Sequence, residues 1–157
     1  MNQLDPAGAG AQEGRPSLLC PSAPASSPGG RLIGVVGGTP DEPAVTFLGT
    51  PTVITPDVLE ASAPVGTGEV LRVAAPCAAQ GCAHFGRGRC TLVERIVDLL
   101  PAVEDGLPAC GIRASCRWFA QEGGEACRRC PQVVTENALP TPEFMAAAVP
   151  PARTSLP

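Results

Sequence analysis

Seven of the eight cysteines lie in the 54 residues from Cys77 to Cys130, spaced Cys77-x4-Cys82-x7-Cys90-x19-Cys110-x5-Cys116-x10-Cys127-x2-Cys130-Pro131. Thiols at that density are either paired with one another or gathered on metal. The compartment decides between the two. The segment Met1-Asn2-Gln3-Leu4-Asp5 has no positive charge and no apolar run behind it, which is not the pattern of a secretory leader, and no apolar stretch is long enough to cross a bilayer. The expected location is therefore cytoplasmic, where thiols stay reduced and a cysteine cluster reads as metal-binding or catalytic.

The rest of the chain offers little to bury. It contains 18 Gly and 19 Pro among 157 residues, and only 35 residues are Leu, Val, Ile or Phe. That is close to the composition of chains that do not fold without help. Residues 1–30 are rich in Pro, Gly and Ser and read as a disordered arm; Cys20 lies in it, far from the other seven, and ordering that segment to recruit it would cost entropy, so it is left outside the ligand sets. Residues 136–157, with five prolines, read as a flexible tail. Between them lie a short β-strand region at 31–74 and a Cys-rich metal- or cluster-binding region at 75–135.

Four β-branched runs, Arg31–Val36, Ala44–Leu48, Thr52–Thr55 and Glu69–Ala74, are bounded by turn residues and read as strands. Gly37-Gly38-Thr39-Pro40 lacks the Lys-Ser/Thr ending of a phosphate loop and reads as a hairpin. Thr55-Pro56-Asp57 is a helix-start signal, giving a brief turn over Val58-Leu59-Glu60. Thr91 and Glu94 have the spacing of a capping box, ahead of an apolar stripe of Leu92, Val93, Ile96, Val97, Leu99 and Leu100 that Pro101 stops. A second helix is expected over Ala114–Gln121, ending at Gly123-Gly124, and a last turn carries Cys127 and Cys130 until Pro131 breaks it. The expected fold is α+β: a small metal-stapled Cys-rich domain with a short β-sheet and two or three short helices, flanked by disordered termini.

Cys127-x2-Cys130 is the one tight chelate, and Pro131 directly after it has the form of the Cys-Pro closure of iron-sulfur ligand runs. Zinc fingers usually show two such pairs, whereas the other gaps here are irregular and suit a cluster wrapped by several loops. Cys110, Cys116, Cys127 and Cys130 are the expected first ligand set, with Cys77, Cys82 and Cys90 as the alternative or second set. His84, the only histidine, would raise seven ligands to eight, but reads better as an exposed loop side chain. Arg113, Arg117, Arg128 and Arg129 flank the later cysteines, either as compensating charge or as ordinary surface cations. Phe85, Trp118 and Phe119 can supply an apolar shell or plain core.

The stretch from Cys110 to Pro131, Cys-Gly-Ile-Arg-Ala-Ser-Cys-Arg-Trp-Phe-Ala-Gln-Glu-Gly-Gly-Glu-Ala-Cys-Arg-Arg-Cys-Pro, with Ala75-Pro76-Cys77 and Cys82 upstream, resembles small Cys-rich bacterial proteins associated with metal or iron-sulfur centres. The resemblance covers about 60 residues and implies metal binding, with no substrate or fold. The expected function is an iron-sulfur protein, with a 4Fe-4S cluster in a small electron-transfer, redox-sensing or accessory module that works with a redox or regulatory protein partner. A zinc-stapled protein-interaction module, a thiol-disulfide switch at Cys127 and Cys130, and extracellular disulfides stay open. One His, no Lys and no Tyr leave no base-nucleophile set, so no enzyme activity is expected; the acidic charge of -4 speaks against nucleic acid, and no membrane partner is expected.

Overall fold

Period-two patterning in the first half and short apolar stripes in the second build a sheet with helices against it. The computed structural model describes residues 17–39 and 41–150. Its elements are β1 (Leu19–Cys20), β2 (Arg31–Gly38), β3 (Pro43–Val53), α1 (Pro56–Ala61), α2 (Thr67–Val70), β4 (Leu71–Pro76), β5 (Phe85–Gly86), β6 (Arg89–Cys90), α3 (Thr91–Leu99), α4 (Arg117–Glu122), α5 (Gly124–Cys127) and α6 (Pro142–Ala148). Single 3-10 turns stand at Ala79–Gly81, Arg113–Ser115 and Cys130–Gln132. The main sheet has the order β1-β4-β2-β3, all neighbours antiparallel, and β5 with β6 forms a separate ribbon. The class is α+β.

The strands expected at Ala44–Leu48 and Thr52–Thr55 fall in one element, the 11-residue β3, which ends at Val53; its register against β2 jumps from Thr52 to Phe47 at an irregularity opposite Leu32 and Gly34. β4 starts two residues later than its sequence suggests, since Glu69 and Val70 close the short α2. The β2–β3 connection is a hairpin, in which Gly38 takes φ 72° and a side chain there would run into the Glu42 carbonyl. Pro40 lies outside the described residues. Thr55 caps α1 by accepting from the Val58 amide at 3.4 Å, as its sequence anticipates.

Six short α-helices replace the two or three expected among the described residues, because single turns carry too few residues to show a period. The capping box at Thr91 is not made: Cys90 is the N-cap, the Thr91 hydroxyl donates to the His84 carbonyl at 2.6 Å, and Glu94 pairs with Arg89 at 2.6 Å. The helix expected from Ala114 is a 3-10 turn followed by α4, with Cys116 between them as N-cap. Pro131 does not end a helix; it sits in the first positions of a 3-10 turn, where a missing N–H costs nothing.

Residues 17–30 and 142–148 depart from the reading of the two ends as loose. β1 is hydrogen-bonded to β4, with Leu19 opposite Pro76 and Cys20 opposite Ala75, and the Cys77 amide donates to the Leu18 carbonyl at 2.9 Å. In α6, Ala147 is buried against the helical core and its carbonyl accepts from Arg95 Nε at 2.8 Å. Residues 1–16 of the expected arm and 151–157 of the expected tail lie outside the described residues. Among the described residues no helix is long and apolar enough to cross a membrane.

One face of the sheet gives Ile33 and Ala74 to a core completed by Val93, Ile96 and Leu100 from the α3 region, Ile112, Cys116, Trp118 and Ala126. The other face holds a small cluster of Ala23, Val73 and Ala75. Alternation along β4 therefore points Arg72 and Ala74 toward the helices and Val73 and Ala75 away from them. The carbonyls of the 100–104 segment are held by Arg129, Gln132 and Arg128, so the long connection after α3 is pinned to the segment that carries Cys127 and Cys130.

Candidate functional site

The eight cysteines divide into two sets of four, each lining its own cavity. Cys110, Cys116, Cys127 and Cys130 line a narrow cavity together with Arg113 and Trp118. Cys20, Cys77, Cys82 and Cys90 line a wide one together with His84 and Arg117. Cys20 reaches the second set because β1 lies against β4, the strand that runs directly into Cys77. The sequence reading missed it, and its only local signal is a β-prone Leu-Leu-Cys before Pro21. All eight are free thiols, with Cys116 buried and the rest half-buried.

The two cavities share a wall. Trp118, 2% exposed, lines both. Pro21 lines the narrow cavity while its neighbours Cys20 and Ser22 line the wide one, and Leu19 forms a parallel bridge with Cys116. The narrow cavity has a volume of about 20 Å³, little more than one water molecule occupies. The wide cavity has a volume of about 390 Å³. Among the described residues, no three Cys, His, Asp or Glu side chains converge closely enough to hold one metal ion.

Backbone amides point at several of the sulfurs. The Ala79 amide donates to Cys77 Sγ and the His84 amide to Cys82 Sγ, both at 3.4 Å. The amide of Ser22 faces Cys20, those of Val93 and Leu92 face Cys90, and those of Phe119 and Trp118 face Cys116. An amide two residues on, turned back to the sulfur, recurs at five of the eight positions. These dipoles oppose burial, which pushes Cys20 up to about 11 and Cys116 up to about 12, and raises Cys90 and Cys127 as well. At Cys127 the Arg113 guanidinium works against burial. Burial thus keeps these four thiols protonated at neutral pH.

Each cavity also has a buried guanidinium N–H that lacks an acceptor: Nε of Arg113 at the narrow one and Nε of Arg117 at the wide one. Buried donors without protein partners are uncommon, and a water or another acceptor in the cavity satisfies them. Arg117 additionally lies over the Phe85 ring, 5.3 Å from its centroid. Arg128 and Arg129 do not serve the thiols; they hold carbonyls of the 100–104 segment and pair with Glu125.

His84 lines the wide cavity, but its Nδ1 stands 2.9 Å from Arg95 Nη2. A guanidinium can only donate, so Nδ1 accepts and the ring proton is on Nε2. Burial and the Arg95 charge hold the ring neutral. A ligating imidazole usually donates its other N–H to an acceptor, the opposite of this arrangement. Gln121 fixes the cysteine on the other side of the ribbon, accepting from the Cys90 amide at 2.8 Å and donating to its carbonyl at 2.9 Å.

No protein-family model matches the chain, and no curated protein or solved structure shows significant similarity to it.

Proposed function

We propose that the chain is an iron-sulfur protein with two four-thiolate centres, one on Cys110, Cys116, Cys127 and Cys130 and one on Cys20, Cys77, Cys82 and Cys90. Each set is assigned one 4Fe-4S cluster, and together they serve electron transfer with a redox or regulatory protein partner. The observation that carries this reading is the four-and-four division of all eight cysteines between two cavities. Two such clusters need that complement of sulfurs. The inward amides, the unpartnered guanidinium at each cavity and the apolar wall of Trp118 support it, since N–H donors to sulfur and exclusion of water are how a protein tunes such a centre. A bound cluster supplies a one-electron couple; the chain holds the sulfurs, donates to them and shields them.

Zinc sites usually show two close Cys pairs, whereas the irregular gaps here suit a cluster wrapped by several loops better. The thiol-disulfide switch at Cys127 and Cys130 is disfavoured because burial raises Cys127, whereas reactive cysteines are lowered. Anaerobic purification tests the reading: about eight irons and about eight acid-labile sulfides per chain are expected. Colourless protein with bound zinc and no sulfide overturns it in favour of the zinc-stapled module.

A further inference from the structure

β3 is the outermost strand of the main sheet, and among the described residues no strand lies on its far side. A free strand edge is a row of backbone donors and acceptors, and the partner it fits is another strand. Folded chains usually blunt such edges with charges, prolines or bulges. All 11 residues of β3 are uncharged, Pro43 and Pro51 lie outside the run Ala44–Leu48, and the irregular register begins only beyond Phe47. Among the described residues nothing outside the sheet bonds the backbone of that run.

The hairpin fixes which groups face outward. Thr39 and Glu42 exchange both backbone hydrogen bonds at 3.1 Å. Antiparallel pairs alternate, so Ala44 and Thr46 bond to β2 opposite Gly37 and Val35, while Val45 and Phe47, opposite Val36 and Gly34, turn their N–H and C=O to the free side. The Phe47 side chain packs against the core, and Thr46 is exposed on the other face.

We propose that β3 is a self-pairing edge, at which two copies of the chain join antiparallel about a twofold axis at Thr46 and continue one sheet across the interface. Val45 of each copy then exchanges both backbone bonds with Phe47 of the other, so every outward N–H and C=O of these two residues is used. A register centred on Val45 instead sets Phe47 against Pro43, which has no N–H, and leaves the Phe47 carbonyl unbonded. At the axis Thr46 meets Thr46 of the second copy in the closely spaced kind of pair, where two threonines attract. Charge selects the same occupant. Antiparallel pairing sends the acidic hairpin tips, Asp41-Glu42, to opposite ends of the contact, with Glu42 level with the neutral Thr50 of the second copy. The contact is small, so the dimer is weak and concentration-dependent. The inference goes beyond the two-centre reading and does not rest on it, since no cysteine lies between Arg31 and Val53.

The test is sedimentation velocity of the anaerobically purified full chain from about 10 μM to about 1 mM, with iron counted on the same samples. The wild type is expected to pass from monomer to dimer across that range. Thr46→Lys and Thr46→Glu each set like charges face to face at the axis and weaken the dimer about tenfold or more, and an equimolar mixture of the two restores it because unlike charges then meet. Both substitutions are at an exposed position, and circular dichroism checks that the fold is kept. Hydrogen exchange of the wild type reads the same contact residue by residue: the Val45 and Phe47 amides slow as concentration rises, whereas those of Ala44 and Thr46, already bonded to β2, do not. A wild type that stays monomeric overturns the proposal, as does a dimer that Thr46→Lys leaves intact or a mixture no tighter than either variant alone. Where a variant fails to fold, the exchange result decides. A low iron count with the dimer intact overturns the two-centre reading alone.

Discussion

Replacing Cys20 by serine removes one of the four sulfurs at the wide cavity and touches none at the narrow one. The segment that carries it is held by bonds that do not use its side chain: Cys77 N to Leu18 O at 2.9 Å, Ala23 N to Val73 O at 3.0 Å, and the Ser22 hydroxyl with Thr135 at 3.1 Å. Cys to Ser nearly conserves volume but sets a hydroxyl in a half-buried place, at a cost to the polypeptide framework of about 1–3 kcal/mol. Ligand loss is thereby separated from unfolding. The expected outcome is a fall from about eight to about four irons per chain, with sulfide and visible absorbance falling in step, because a four-thiolate cluster deprived of one soft ligand is not retained. Cys127→Ser gives the same halved content from the other cavity, and the double variant gives none. Anaerobic iron and sulfide assays on the purified chains read the result. Full loading of Cys20→Ser refutes the assignment of Cys20, and complete loss of iron from it refutes the independence of the two sites.

Two further substitutions test the packing that shapes the cavities. Trp118→Ala empties the wall common to both and is expected to lower stability by about 3–5 kcal/mol in urea unfolding, since the ring is 2% exposed; a loss under about 1 kcal/mol contradicts its place in the core. At Gly34→Ala the new methyl meets Val45 Cγ1 at 2.7 Å and the Thr46 carbonyl at 3.0 Å, so the β2–β3 pairing has to shift. The expected loss is about 1–3 kcal/mol by thermal or urea unfolding, and a neutral result means the bulge there relaxes freely.

The sequence made β2 and β4 legible as β-branched runs bounded by turn residues and α3 by its apolar stripe, and it grouped Cys110, Cys116, Cys127 and Cys130 because they are close along the chain. Cys20 was hidden for the converse reason. Its partners are 57 or more residues away, and the strand that delivers it is two residues long, too short for any alternation to register. Arg72 was hidden by convention: an arginine in a strand between Leu71 and Val73 reads as the solvent-facing member of the alternation, yet both faces of β4 are covered. Thr91 and Glu94 have the spacing of a capping box, but the helix begins one residue earlier than that box requires, and Arg89 takes the glutamate.

Those two hidden residues bear on how the fold stands up. The buried core is small, drawn from single residues of many short elements. On the proposed reading the narrow set ties the loop at Cys110 to the start of α4, the end of α5 and the turn at Cys130, while the wide set ties β1 to the end of β4 and to the start of α3. The metal links therefore join pieces that have little apolar contact of their own. Binding at structural metal sites is worth on the order of 10 kcal/mol, comparable to the whole stability of a domain this size. Removing iron with a chelator under argon is expected to abolish most of the helical circular dichroism and to speed amide exchange over 77–90 and 110–130 before it does so in the β2–β3 hairpin, whose hydrogen bonds involve no cysteine. A stripped chain that keeps its helical signal and its slow amides in those two stretches would show that the apolar core suffices, and would remove the cross-linking role of the thiolates.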